Sequence, residues 1–482
     1  MGSGINTPNL DKLAKKGMVF SQFYNTGRSC PTRASLLTGL YAHQTGLGWM
    51  TSANLGQPGY TGDMNNHAVT IAQVLKQADY SCYMTGKWHV TYDKYMKPEG
   101  PKHNWPIQRG FDRFFGHLTG GGSYYSTSTL TNDNEQLKPG KDFYLTTAIT
   151  DSTVSIINQH FQEKKDHPFF FYLAYYAPHR PLQALQKDID KYRGKFTNGW
   201  DEQRKIRYEK LRKVGMIDET CLLTERDPAI PAWESLSEDE KQLWDARMAV
   251  YAAQIDCMDQ GIGEVLKVLE DNNELDNTLI LFLSDNGGNA ESQGNKTLST
   301  EELLLLGNET PAQSYRVNWA NVSNTPFREY KHMVHEGGIS TPLIVYWPAK
   351  MKKTGLITKQ VGHVIDLMPT LVEVADVNYP KTYKGHEIYP LTGKSLIPTI
   401  TKGDTFSRKP IFFEHEANRA VIAGDWKLVS ESTKKPPFTG EWELYNLKDD
   451  RSETNNLIKR YPEKACEMKI LWDKWANENN VY

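Results

Sequence analysis

Cysteine is scarce in this chain: five residues, at 30, 82, 221, 257 and 466, an odd count without C-x-x-C spacing. Such usage argues against a disulfide framework or a structural zinc site and reads as mostly buried thiols. Net charge is lacking too. The 56 basic and 58 acidic residues leave a formal charge of −2. Without a basic block there is no electrostatic footprint for nucleic acid, and the expected partner is a small molecule or a glycan. No stretch approaches the roughly 20 apolar residues of a membrane span. The start Met1-Gly2-Ser3-Gly4 lacks the charged and apolar regions of a signal peptide, and neither internal repeats nor low-complexity tracts occur. With 482 residues the chain is long enough for a large core and more than one structural unit.

Thr7-Pro8, then Leu10, Leu13 and Ala14, then Gly17, predict a capped helix. Further on, one arrangement recurs: a short apolar run, read as a buried strand, followed at once by residues with chemical potential. Tyr80 to Met84 leads into Gly86-Lys87-Trp88-His89, Phe169 to Ala174 into Ala177-Pro178-His179-Arg180, and Leu279 to Leu283 into Ser284-Asp285-Asn286-Gly287. Helical patterns lie between, notably Leu243 to Leu269, where Gly261 and Gly263 are weak points. The expected fold is α/β: a large, mostly parallel sheet sandwiched by helices, with ligands bound beyond the carboxyl ends of its strands. Residues 101–144 and 291–327 read as irregular insertions, the second with a short helix near Glu301 to Leu306. After Lys394 to Lys409 short strands follow, at Ile411 to Glu414, Ala420 to Ile422, Trp426 to Val429 and Trp442 to Leu447, then a helix from Pro462 to Trp475. The expected division is a large domain over 1–395 and a small C-terminal antiparallel sheet plus helix over 396–482.

The most informative stretch is Ser29-Cys30-Pro31-Thr32-Arg33, continued by Ala34-Ser35-Leu36-Leu37-Thr38-Gly39. It resembles the signature of the sulfatase family, whose C/S-x-P-x-R pentapeptide has its first residue oxidised to formylglycine. Only Ser29 has Pro two residues on and Arg four residues on, so Ser29 is the implied precursor and Cys30 the variable position. Thr7-Pro8-Asn9-Leu10-Asp11, Gly86-Lys87-Trp88-His89, Ala177-Pro178-His179, Ser284-Asp285-Asn286-Gly287, Lys331 through Glu336-Gly337-Gly338, and Phe413-Glu414-His415-Glu416-Ala417-Asn418-Arg419-Ala420 resemble further blocks of the same family. The resemblance spans nearly the whole chain.

What it implies is a hydrolase of aryl or carbohydrate sulfate esters with an alkaline phosphatase-like fold. One hydroxyl of the formylglycine hydrate attacks sulfur, and the other then loses its proton so that sulfate departs and the aldehyde returns. By resemblance, Arg33 and Lys87 position hydrate and sulfate, and His89 is the base. His179 and Lys331 contact the sulfate and the leaving oxygen, one of them as the acid. His415, Asn418 and Arg419 are candidate substrate contacts. Asp285 and Asn286 offer hard oxygen ligands, implying Ca2+ first and Mg2+ second. A maturation enzyme and a periplasmic or secreted location for the full-length protein are also implied. The family normally opens on an apolar strand ending in an Asp-Asp pair, and no Asp precedes Asp11 here. The expectation is therefore a fragment or displaced start, with a metal site short of two ligands. The alternatives are a phosphoester or phosphonate hydrolase of the same superfamily and a truncated, inactive glycan-binding protein.

Overall fold

The structure, a computed structural model, describes residues 4–432 and 440–482, so the Met1-Gly2-Ser3 start lies outside the described residues. The opening helix runs Pro8–Lys16 with proline in its first turn. Gly17 ends it, because a Cβ there would lie 2.1 Å from the carbonyl oxygen of Val345.

Apart from the short pairs Phe23–Tyr24 with Gly362–His363 and Thr382–Tyr383 with His386–Glu387, the strands of the large domain fall into two pieces. A five-stranded sheet has the order Glu135–Gln136, Leu130–Asn132, Arg113–His117, Ser81–Lys87, Phe169–Ala174. Its centre is parallel: Ser81–Lys87 pairs in that sense with both neighbours. A four-stranded sheet has the order Leu356–Thr358, Met18–Phe20, Leu343–Tyr346, Ile280–Phe282, with one parallel and two antiparallel pairings. The α/β class stands as expected, but the sheets are mixed: Lys87 ends one parallel strand and the His179 segment follows another, whereas Asp285 follows Ile280–Phe282, which pairs antiparallel.

Both pieces lie between the same two helical layers. Cys82, Met84, Met18, Phe20, Leu343 and Val345 share one core with Ala34 and Leu37 of the helix Ser29–Thr38. Phe171, Leu173, Ile280, Phe282 and Ile344 pack on the other face against Leu145, Ile149, Met258 and Ile262. Alternate residues of one strand thus go to opposite apolar layers, which is why these strands read as continuous apolar runs rather than alternating ones. Phe169–Ala174 and Ile280–Phe282 are the edges that face each other, each paired on one side only, and both line a cavity of about 1260 Å3. The sheet is one layer with a gap in its middle.

The longest helix, Glu238–Asp271, is closed by a capping box at Ser237 and Glu240. Its glycines do not break it. A Cβ on Gly261 would meet the Thr150 hydroxyl at 2.2 Å and one on Gly263 the Asn9 amide at 2.6 Å, so both let neighbouring helices approach closely.

The C-terminal strands Ile411–His415, Asn418–Ala423, Trp426–Ser430 and Trp442–Asn446 form an antiparallel sheet in chain order. The helix Pro462–Glu478 covers it through Met468 and Trp472, against Val421, Leu428 and Leu444. Leu396 and Ile400 still pack in the core of the large domain. A buried ion cluster joins the two parts: Lys427 lies 3.1 Å from Glu336 and 2.8 Å from Glu453, and Arg451 lies 3.2 Å from Glu336.

Candidate functional site

Ser29 is the first residue of the helix Ser29–Thr38 and is buried. Its hydroxyl donates to Asp285 Oδ2 at 2.6 Å and accepts from Arg33 Nε at 3.1 Å, one helical turn on. Arg33 also reaches Asp285 through Nη2 at 3.0 Å and the carbonyl of Lys87 through Nη1 at 2.6 Å. Burial works to raise the Asp285 carboxyl, but Arg33, Lys87 and the Ser29 hydrogen bond outweigh it and hold it well below the usual range. Cys30 turns the other way, with its thiol 3.4 Å from the carbonyl of Trp49, and burial pushes it up to about 12. It is a buried, protonated thiol.

Lys87 ends its strand almost fully buried. Burial first and Arg33 second drive its ammonium well below the ordinary lysine range, with Asp285 opposing. His89 sits at φ 55, a left-handed conformation that costs a non-glycine residue energy. Its Nδ1 is buried without a hydrogen-bond partner. The backbone of Gly120 lies against its ring, where a Cβ would meet Nε2 at 2.1 Å. His89 and His179 are held neutral by burial, reinforced by Lys87 for the first and by Lys331 then Lys87 for the second. His179 Nε2 lies 3.2 Å from Lys331 Nζ, and its Nδ1 lies 2.7 Å from the carbonyl of Arg180. Burial and Arg28 lower Lys331 to about 8, against Glu291 and Asp285.

Asp285 and Asn286 follow the strand Ile280–Phe282 and line the central cavity together with Lys87, Arg33 and His179. Their oxygens suit a hard cation, supplying two of the six to eight that Ca2+ takes. One Asp285 oxygen is already engaged by Ser29 and Arg33. The pair fits a calcium ion but supplies at most a third of its oxygens.

Of the small-domain candidates, the structure brings His415 beside His332, the two ring centroids 6.2 Å apart. It is fully buried, stacked on Trp49 at 5.9 Å, and its Nε2 stands 3.6 Å from Glu416 Oε1. Asn418 is a brace, donating to the carbonyls of His332 and His415 and accepting from the Ser432 amide. Arg419 lies between Trp442, at 4.2 Å, and Trp472, at 5.5 Å, and bonds the carbonyl of Gly440. Those contacts keep it inside the small domain.

Sequence reasoning missed the charged rim around His332. Glu291, inside the irregular insertion, bonds Arg28, Arg180 and His332. His332 also bonds Glu416 at 2.8 Å, and the ligand atoms of His332, His415 and Glu416 lie within 4.8 Å of one another, spacing that a metal could bridge. The Arg28 guanidinium already rests on His332 there. The only signal for these residues was adjacency: Arg28 precedes Ser29, Arg180 follows His179, and His332 follows Lys331.

A serine hydroxyl among an arginine, two lysines and neutral histidines, at the carboxyl ends of an α/β sheet, defines a hydrolase of anionic monoesters. Two family profiles match the sequence: "Sulfatase" over residues 1–377 and "N-sulphoglucosamine sulphohydrolase, C-terminal" over 328–478. An uncharacterized sulfatase of Schizosaccharomyces pombe is 32% identical, covering 100% of this chain and 91% of its own. An arylsulfatase of Klebsiella aerogenes is 32% identical over 82% of this chain and 87% of its own. The solved structure of Ps i-CgsB with k-i-k-neocarrahexaose superposes with a TM-score of 0.68 at 24% identity, covering 99% of this chain and 88% of that one, a likeness of fold. The chain belongs to the sulfatase family and is a hydrolase of sulfate esters. Membership generally implies a metal and a formylglycine.

Proposed function

We propose that Ser29, oxidised to formylglycine by a maturation enzyme, is the nucleophile, and that the substrates are aryl or carbohydrate sulfate monoesters. The observation that carries this is the position of the Ser29 hydroxyl, fixed by Arg33 and by Asp285, whose carboxylate also feels Lys87 and Lys331, the latter 3.2 Å from His179. One hydroxyl of the hydrate gives its proton to Asp285 Oδ2, which the Ser29 hydroxyl faces at 2.6 Å, and attacks sulfur as the bond to the leaving oxygen breaks, while Lys331 supplies that oxygen with a proton. The second hydroxyl then gives its proton to neutral His89, the C–O bond to sulfate breaks, and the aldehyde is restored for rehydration. Arg33 and Lys87 hold the charge of the transferring group. Asp285 and Asn286 would hold Ca2+, which when bound adds positive charge beside that group.

In this reading the large domain, 1–395, supplies the chemistry, and the small domain, 396–482, closes the rim through His415. A periplasmic or secreted setting belongs to the same reading. The test is matured protein assayed on an aryl sulfate and the matching aryl phosphate. Faster turnover of the sulfate is expected, and a phosphate preference would move the chain to the phosphoester reading. Binding of both without turnover would favour a glycan-binding protein.

A further inference from the structure

Glu291 is placed among the neighbours of the candidate catalytic residues. Its Oε1 lies 3.1 Å from Arg28 Nη1 and 3.0 Å from His332 Nε2, and its Oε2 lies 2.9 Å from Arg180 Nε and 3.7 Å from Lys331 Nζ. These groups are not sealed away. The side chains of Glu291, Arg180 and His332 remain 26%, 34% and 21% exposed, so they stand at the solvent edge of the cluster that holds Lys331. Without a carboxylate there, Arg28, Arg180 and Lys331 would make a forked cationic site well suited to a second anionic group on the substrate. With Glu291 in place, and Glu416 bonding the far side of His332, those cations are already engaged. Both Glu291 oxygens are engaged there, Oε2 also by the Asn289 amide at 3.1 Å, so the carboxylate withdraws positive charge that an anion would otherwise meet.

We propose that Glu291 determines leaving-group specificity: it offsets the cationic charge of the rim so that the enzyme favours sulfate esters with a neutral, hydroxyl-bearing leaving group over those carrying a second anion. The proposal rests on the sulfatase reading of the Ser29 site, in which Lys331 faces the leaving oxygen. The leaving group then emerges past Lys331 onto Glu291. Such discrimination works by placing a repulsive charge against the wrong substrate rather than by adding contacts to the right one.

The test compares 4-carbamoylphenyl sulfate with 4-carboxyphenyl sulfate, which differ little in shape and by one charge. The ratio of their kcat/KM values is measured in the wild type, Glu291→Gln and Glu291→Asp. Intrinsic reactivity cancels when the ratio is compared across variants. The wild type should favour the neutral ester, and Glu291→Gln should lower that preference about 10-fold or more through KM of the anionic ester, less so at high salt. Glu291→Asp should restore most of the preference, and melting curves check that both variants fold. Equal losses on both esters in Glu291→Gln would mean that Glu291 only braces Arg28, Arg180 and Lys331, and the proposal would be overturned. A second readout needs no turnover: calorimetric binding of 4-hydroxybenzoate against 4-hydroxybenzamide. The carboxylate should bind about 10-fold tighter to Glu291→Gln than to the wild type, and no change would overturn the proposal. If the wild type hydrolyses neither ester, the Ser29 reading fails, while the binding comparison still decides the role of Glu291.

Discussion

Lys331 Nζ stands 3.2 Å from Nε2 of His179, and the carbonyl of Arg180 stands 2.7 Å from His179 Nδ1. A carbonyl only accepts, so Nδ1 carries the imidazole proton and Nε2 offers its lone pair to the lysine. The mobile proton of this pair therefore belongs to Lys331.

Replacing Lys331 with alanine should cost about 10²- to 10⁴-fold with an alkyl sulfate, the range of general acid catalysis, and much less with a nitrophenyl sulfate. His179→Ala should depend less steeply on the leaving group. Brønsted plots over a series of leaving groups measure this. Parallel lines for Lys331→Ala and the wild type would remove Lys331 from the acid role.

A lysine lowered to about 8 also fixes a pH limb. The acid form is required, so kcat/KM on a poor leaving group should hold below about pH 8 and fall above it. The kcat limb should lie higher, because bound sulfate favours the ammonium. Stability should run the other way. A depressed lysine binds fewer protons when folded than when unfolded between about 8 and the ordinary lysine range, so this group destabilises less as pH rises through that window. Rate and melting profiles on one buffer series test the opposition, and a kcat/KM flat to pH 10 would contradict it.

Peptide mass spectrometry, after expression with a serine-competent maturation enzyme, should show loss of two hydrogens at Ser29. Cys30→Ala should retain most activity and Ser29→Ala none. An aldehyde at Cys30 would reverse the assignment, against a thiol that burial pushes up to about 12 and that points at Trp49.

Chemistry at strand ends was legible because it travels with its strand: the runs at Ser81–Lys87, Phe169–Ala174 and Ile280–Phe282 each deliver their motif to one edge of the sheet. Arg113–His117 was not legible. Its RFFGH sequence has two apolar residues, and it is a strand because Ser81–Lys87 pairs with it. The helix Arg316–Ser323 was hidden in the same way, polar in sequence yet anchored by the buried Trp319. Glu291 could not be found at all, since what places it is tertiary convergence of side chains from four separate segments.

Asp285 and Asn286 alone should bind Ca2+ weakly, on the order of 10⁻⁴ to 10⁻³ M, and Asp285→Asn should abolish the binding. A polypeptide carrying an apolar strand that ends in two aspartates ahead of residue 4 has a place to put it, between Phe169–Ala174 and Ile280–Phe282. Calcium affinity and melting temperature should then rise together, through added ligands, burial and linkage. Calorimetric titration with melting curves makes the comparison. Tight calcium binding by residues 1–482 alone would show that other groups complete the site.

The gap between those edges also inverts an ordinary expectation about amide exchange with solvent deuterium. In an α/β core the middle strands usually hold their protons longest, since releasing them requires global opening. Here the middle of the sheet presents two unladdered edges, Phe169–Ala174 and Ile280–Phe282, to a cavity, while Ser81–Lys87 is paired on both sides. The outward amides of the two edge strands should therefore label early and those of Ser81–Lys87 last. The slow-exchange nucleus of the domain is displaced by one strand from its geometric centre.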